Sequence, residues 1–278
     1  MKTIDLKDYE LSGGGKLGES YIRKDNPDIL LKLYSTQLEK MGLDEYERAC
    51  KVFNIGLPCP EPGEVVRTTD GRIGIQFKRI HGKLSYARAL SYHPELLEQY
   101  AVEFAELSKK LHSTVPPAGL FPTIKEQYSD YIKDNPYLTD DERIGIIRFI
   151  STLPDADTAV HGDLHIGNVI FDESGRKYLI DLSEFSTGSP MFDMGIIYLQ
   201  CCFIPDEMEM ELYHITKDIS TKFWDLFVKA YYGADTNIEE FNRQIRPYTL
   251  LRMLCVEKMM GYPISYIRPA VHAMIGIK

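Results

Sequence analysis

Three side chains between residues 161 and 181 have the types and spacing that phosphoryl transfer needs. Asp163 and Asn168 stand five apart in HGDLHIGN, and Asp181 follows thirteen residues later in LIDLSEF. The D-x-x-x-x-N spacing is that of a phosphoryl-transfer loop, where a carboxylate meets the attacking hydroxyl and an amide oxygen meets magnesium. Such a reaction asks little covalent chemistry of a protein. It needs metal-binding oxygens and one aimed carboxylate. Asp163 is the candidate base, with Asn168 a neutral and Asp181 an anionic magnesium ligand. Taken singly, each is as well explained by a turn, because Asp and Asn bond their own backbone there. As a set, with His161 in front, they read as a site. His161 is expected to brace the loop through its ring nitrogens, and the role of His165 stays open.

These residues need elements to carry them. Between Asn168 and Asp181, VIFDESGRKYLI reads strand, turn at 172–175, strand, so a hairpin can bring both ligands together. Upstream, SGGGKLGESY holds Gly13, Gly15 and Gly18 in a G-x-G-x-x-G pattern. A tight turn at 13–18 is the bland reading of those glycines. The following ESYIRK alternates as a strand, so the glycines join two strands, as in a hairpin folded over phosphates. A dinucleotide fold would need a helix next, and a P-loop would need Ser or Thr where Leu17 follows Lys16. Lys32, one strand further on in ILLKLYS, stands where a lysine pairs with phosphates. Its flexible stem needs a carboxylate to hold it. Glu45 and Glu47 on a helix expected over 43–54 both offer one, and the count back from the Gly-Leu-Pro turn favours Glu45. That helix would bury Tyr46, Ala49, Cys50 and Phe53, and IGLPCPEP would end it.

TIDLKDYEL, ESYIRKD and DILLKLYS are expected strands, and GEVVRT with GRIGIQFKRI forms a hairpin around 70–71. Beyond that the periodicity turns helical: ELLEQYAVEFAELSKKLHS, TIKEQYSDYIKDN, DDERIGIIRFISTL, MFDMGIIYLQCCF, MELYHITKDISTKFWDLFVKAYYG and IRPYTLLRMLCVEKMM. The boundary falls near residue 82, dividing 1–82 from 83–278 with 77–82 as hinge. The expected class is α+β. With 278 residues, 44% of them hydrophobic and 26% charged, the chain can bury a substantial core. A net charge of -9 argues against nucleic acid or an anionic membrane as partner. Five irregularly spaced cysteines read as reduced thiols, MKTIDLKDYE lacks a signal-peptide run, and no stretch is long enough for a bilayer. The expected location is the cytoplasm.

GGGKLGESY, ILLKLY, EYERACKVFNIGLPCPEP, QFKRIHGK, ELSKKLHS, HGDLHIGNVIF, LIDLSEF and SPMFDMG follow one another over nearly the whole chain. In these runs the chain resembles the aminoglycoside phosphotransferase and choline kinase family. The resemblance implies a two-lobed protein-kinase-like fold, with a small β-rich N-lobe and a larger, mainly helical C-lobe. It implies ATP- and Mg2+-dependent transfer of the γ-phosphate to a hydroxyl of a small molecule of aminoglycoside, amino alcohol or sugar type, with GTP left open as donor. It makes Lys32 and Glu45 an ion pair and Asp193 a buttress, and it sets the adenine on the hinge at Phe77, Arg79 and Ile80. One departure is Glu184, where many members carry aspartate. Only eleven residues separate Asp181 from Asp193, too few for the activation segment of a protein kinase. A catalytically silent, nucleotide-binding regulator is the other alternative, disfavoured by the intact Asp163, Asn168 and Asp181. Asp206, Glu207, Glu209 and Glu211 are read as a solvated face first and as a lure for a cationic acceptor second. Tyr262 and Tyr266 are read equally as acceptor-stacking or core residues.

Overall fold

A computed structural model describes residues 1–15 and 18–277; Lys16 and Leu17 of the glycine segment, and Lys278, lie outside the described residues. The chain forms two compact units, Met1–Ser85 with Asn168–Glu184, and Tyr86–Gly167 with Phe185–Lys278. A linear division at 82 keeps the 168–184 hairpin with the helices. Its neighbours in space are those of the first unit, because its leading strand pairs with residues 84–85.

The first unit carries β1 (Lys2–Ile4), β2 (Tyr9–Gly15), β3 (Gly18–Arg23), β4 (Ile29–Leu33), α1 (Glu39–Asn54), β5 (Pro62–Thr68), β6 (Ile73–Lys78) and β7 (Leu84–Ser85). After β8 (Ala159–Val160) of the second unit come its last strands, β9 (Val169–Phe171) and β10 (Lys177–Leu179). Six strands make one sheet in the order β1-β5-β6-β4-β3-β2, with β1 parallel to β5 and the other pairs antiparallel. TIDLKDYEL is not one strand. A 3-10 turn at Leu6–Asp8 splits it, nucleated by the Asp5 carboxylate accepting from the Lys7 amide at 3.0 Å. Nor do Gly13 and Gly14 make a turn: they pair with Ser20 and Glu19 across β2 and β3. Gly18 needs its missing side chain, because a Cβ there would stand 2.3 Å from the Leu33 carbonyl oxygen. Leu31 and Val66 pack with Ile4 and Tyr9 in the sheet's core.

Helix α1 begins four residues before the expected start and buries Gly42, Glu45, Ala49 and Val52. The expected stripe shares only Ala49 with that face. The rotation has two causes: Glu45 turns inward, and Gly42 admits the Tyr34 ring, which an added Cβ would meet at 2.8 Å. The ladder β10-β9-β7 is antiparallel, with Leu179 opposite Val169.

The second unit is helical: α2 (Tyr86–Tyr92), α3 (Leu97–His112), α4 (Ile124–Lys133), α5 (Asp140–Thr152), α6 (Met191–Tyr198), α7 (Asp206–Tyr213), α8 (Lys217–Tyr232), α9 (Ile238–Met260) and α10 (Arg268–Ile275). A small ladder joins β8 to β11 (Ser186–Thr187). Capping boxes Thr123–Glu126 and Thr139–Glu142 start α4 and α5. The run 210–233, expected as helix throughout, breaks at His214, whose left-handed φ of 60° caps α7. Helix α9 starts at 238 and continues through Pro247. The core rests on aromatic contacts of α3 with α8, where Phe104 meets Phe223 and Phe227 with ring centroids 5.6 Å apart in each case. Among the described residues no helix is long and apolar enough to cross a membrane.

Candidate functional site

In the first unit, β4 turns Lys32 toward α1 and the end of β10. Its Nζ donates to Glu45 Oε1 at 2.8 Å and Oε2 at 2.9 Å, and to Asp181 Oδ1. Glu47, the other carboxylate weighed, pairs instead with Lys51 on the exposed side of α1. Burial works against the Lys32 ammonium, but the charges of Asp181 and Glu45 outweigh it and raise its pKa above the ordinary value. Tyr34, fully buried, donates from its hydroxyl to Glu45 Oε2 at 2.5 Å. Burial first, and then the Glu45 charge, pushes the Tyr34 phenol well up.

The hairpin sets Asn168 and Asp181 at its two ends. The Ile180 amide donates to the Asn168 carbonyl at 3.0 Å, so Asn168 lies opposite the residue before Asp181. Asn168 is buried, while the Asp181 side chain is 42% exposed. Asp181 has φ 58°, a left-handed conformation that costs energy for any side chain. The 3-10 turn Leu182–Glu184 follows it and packs on α1, with Glu184 buried. Among the described residues no three His, Cys, Asp or Glu side chains group as a metal site.

Phe77, Arg79 and Ile80 lie at the end of β6. The Lys78 amide donates to the Glu61 carbonyl at 2.9 Å and the Arg79 amide to that of Asp28 at 2.7 Å. Beside them is a cleft of about 440 Å³ that takes in Arg79, Ile80, Phe53, Arg176 and Tyr178. Its lining includes neither Lys32 nor Asn168 nor Asp181.

In the second unit the loop 161–163 hangs on one carboxylate. Asp193, fully buried in the first turn of α6, accepts the His161 amide at Oδ2 (2.7 Å) and the Gly162 amide at Oδ1 (2.9 Å). His112, at the end of α3, adds Nε2 at 3.0 Å from Oδ2 and contacts the Tyr231 hydroxyl through Nδ1 at 2.9 Å. The His161 ring is buried and its Nδ1 accepts the Asp163 amide at 3.3 Å. Gly162 has φ 80°, which a side chain would resist. Asp163 is half-buried and takes Nη2 of Arg252 on Oδ1 at 2.7 Å.

Tyr34, His112, Tyr231 and Arg252 were not read from the sequence. Arg252 alone left a signal there, a lone charge inside the apolar run of α9, where a buried guanidinium must find an anion. The acidic stretch on α7 is the expected solvated face at three of its four positions. Asp206, Glu207 and Glu211 are exposed, but Glu209 is fully buried, accepting from Gln200 Nε2 at 2.9 Å and Lys217 Nζ at 3.3 Å. Tyr262 and Tyr266 are 49% and 70% exposed and so are not core residues.

A sheet-based unit with a paired lysine, and a helical unit with a carboxylate-braced aspartate loop, define a small-molecule kinase of protein-kinase-like fold. The chain belongs to the phosphotransferase enzyme family, whose pattern matches residues 10–215. No curated protein sequence matches it. Among solved structures it is similar to an aminoglycoside-3'-phosphotransferase of type VIII, at 17% identity and a TM-score of 0.60 over 89% of this chain and 94% of that one. It is similar to choline kinase LicA from Streptococcus pneumoniae, at 17% identity and a TM-score of 0.57 over 91% and 83%. A third is the GDP and kanamycin complex of APH(2")-IIia, at 15% identity and a TM-score of 0.59 over 98% and 93%.

Proposed function

We propose that this enzyme transfers the γ-phosphate of ATP, with Mg2+, to a hydroxyl of a small molecule of the aminoglycoside, amino alcohol or sugar type. The observation that carries the reading is Lys32, a half-buried ammonium held between Glu45 and Asp181, with Asn168 on the same hairpin as Asp181. Asn168 and Asp181 offer the hard oxygens magnesium prefers, and two protein oxygens suffice where phosphates and water complete its shell. Asp181 already holds a cation, the Lys32 ammonium, and keeps a strained backbone of the kind found at functional sites. Magnesium, when bound, neutralises charge on the phosphates. Lys32 serves the same end, fixed by Glu45. Asp163 orients the acceptor hydroxyl and takes its proton. Asp193, His161 and His112 hold the loop that carries Asp163. Gly13, Gly15 and Gly18 cover the phosphates. The Lys78 and Arg79 amides are engaged by the Glu61 and Asp28 carbonyls, so adenine is assigned to the backbone at Ile80, flanked by Phe77 and Arg79. The five free thiols fit a cytoplasmic setting.

The test is transfer of labelled γ-phosphate, with magnesium, to a panel of amino alcohols, aminoglycosides and sugars. Wild-type enzyme is expected to label one compound class. Asp163→Asn is expected to abolish turnover while ATP binding persists; undiminished transfer by that variant would sink the assignment.

A further inference from the structure

His165 takes no part in transfer as described, yet its ring is held on three sides. The Gly167 amide donates to Nδ1 at 3.0 Å, which leaves the proton of the neutral ring on Nε2. Tyr213 of α7 packs edge-on, with ring centroids 5.5 Å apart. A Cβ on Gly167 would stand 2.9 Å from the His165 Cε1 and 3.3 Å from the Tyr213 ring, so only glycine leaves the imidazole this place. Held so, Nε2 stands 3.8 Å from Asp163 Oδ2. The other oxygen, Oδ1, takes Nη2 of Arg252 at 2.7 Å. Arg252 is 4% exposed, with Leu251, Met253 and Leu254 buried beside it on α9. A guanidinium in such surroundings is tolerable only against an anion.

We propose that Arg252 and His165 clamp the Asp163 carboxylate from its two oxygens, fixing the rotamer in which it meets the acceptor hydroxyl. The proposal rests on the phosphotransferase reading of Asp163. Both are positioning residues. Arg252 donates to one oxygen and the protonated Nε2 of His165 stands 3.8 Å from the other; arginine has no acceptor at all, so the proton taken from the acceptor stays on Asp163. Placement matters because a shift of about 1 Å in a reacting group can cost on the order of a hundredfold in rate. The planar guanidinium also fixes direction, which a lysine's point charge does not.

The experiment compares wild type, Asp163→Asn, Arg252→Met and the double variant by thermal unfolding and steady-state kinetics. Each single change strands the other group's charge or hydrogen bond, so the double variant is expected to lose less stability than the sum. Additive losses would overturn the pairing, and this readout does not depend on any activity. In kinetics, Arg252→Met is expected to lower kcat by roughly 10- to 100-fold at unchanged KM for ATP. Wild-type kcat in that variant overturns the clamp and leaves the kinase reading standing. Absence of transfer by the wild type overturns the kinase reading instead. Should Arg252→Met fail to fold, Arg252→Lys keeps the charge and is expected to retain about a tenth of kcat; full kcat there overturns the clamp. His165→Ala is expected to show a smaller fall, and wild-type kcat would remove His165 from it.

Discussion

Four side chains form a line in the first unit: the Tyr34 hydroxyl, the Glu45 carboxylate, the Lys32 ammonium and the Asp181 carboxylate. Glu45 sits between two donors, so its hold on Lys32 depends on both. The phenol is the removable one. Tyr34→Phe keeps the ring that packs against Gly42 and deletes only the donor. A hydrogen bond to a charged group contributes about 1.5–3 kcal/mol, which is on the order of tenfold or more in an equilibrium. If Lys32 meets the phosphates, Tyr34→Phe should raise KM for ATP by about tenfold while kcat moves little. An ATP titration of initial rates checks this, and an unchanged KM would mean that Lys32 alone orders Glu45. The pairing mirrors that of Arg252 in the second unit, where a buried cation donates to the Asp163 carboxylate.

At the scale of elements, α7 is tied to α8 by a buried charge. Glu209 has no exposed surface, and burial raises its carboxyl above the ordinary value despite Lys217, whose side chain remains 30% exposed. A raised folded-state pKa means that the folded protein binds this proton more tightly than the unfolded chain does. Stability from this group is therefore greatest below the unfolded value of 4.5 and falls as pH rises toward the raised one. Glu209→Gln should flatten that part of the stability profile, gaining on wild type toward neutral pH, as read from urea midpoints at several pH values. If the two profiles run parallel, Glu209 does not titrate across this window. Helix α7 also marks the limit of what periodicity can tell. Long amphipathic runs such as α3, α4 and α5 are legible because their apolar spacing and caps are local. The break at His214 is not, because only three residues, led by one in a left-handed conformation, separate α7 from α8. The face of α1 departs from its apolar spacing for a related reason: its inward glutamate answers a lysine thirteen residues away, so an apolar count points to the wrong side. The types and spacing of Asp163, Asn168 and Asp181 were legible. The partner of Asp163 is 89 residues distant and was not.

For the molecule as a whole, the residues read as catalytic divide by unit. Lys32, Glu45, Asn168 and Asp181 belong to the first, although 149 positions separate the lysine from its second carboxylate. Asp163, Asp193 and Arg252 belong to the second. If the first set binds the nucleotide and metal and the second handles the acceptor's proton, variants should sort the same way. Binding to the folded state alone stabilises it by about 2.7 kcal/mol when ligand stands at a hundred times its dissociation constant. For a chain of this size that is a rise of roughly 5 °C in the unfolding midpoint. Wild type should show this rise with Mg-ATP, and Asp163→Asn should show it in full, because its lost carboxylate meets the acceptor rather than the nucleotide. Asp181→Asn should respond to Mg-ATP no more than to ATP with a chelator, since the anionic ligand is gone. The opposite pattern, a shift kept by Asp181→Asn and lost by Asp163→Asn, would refute the division, for the metal would then depend on the second unit's aspartate.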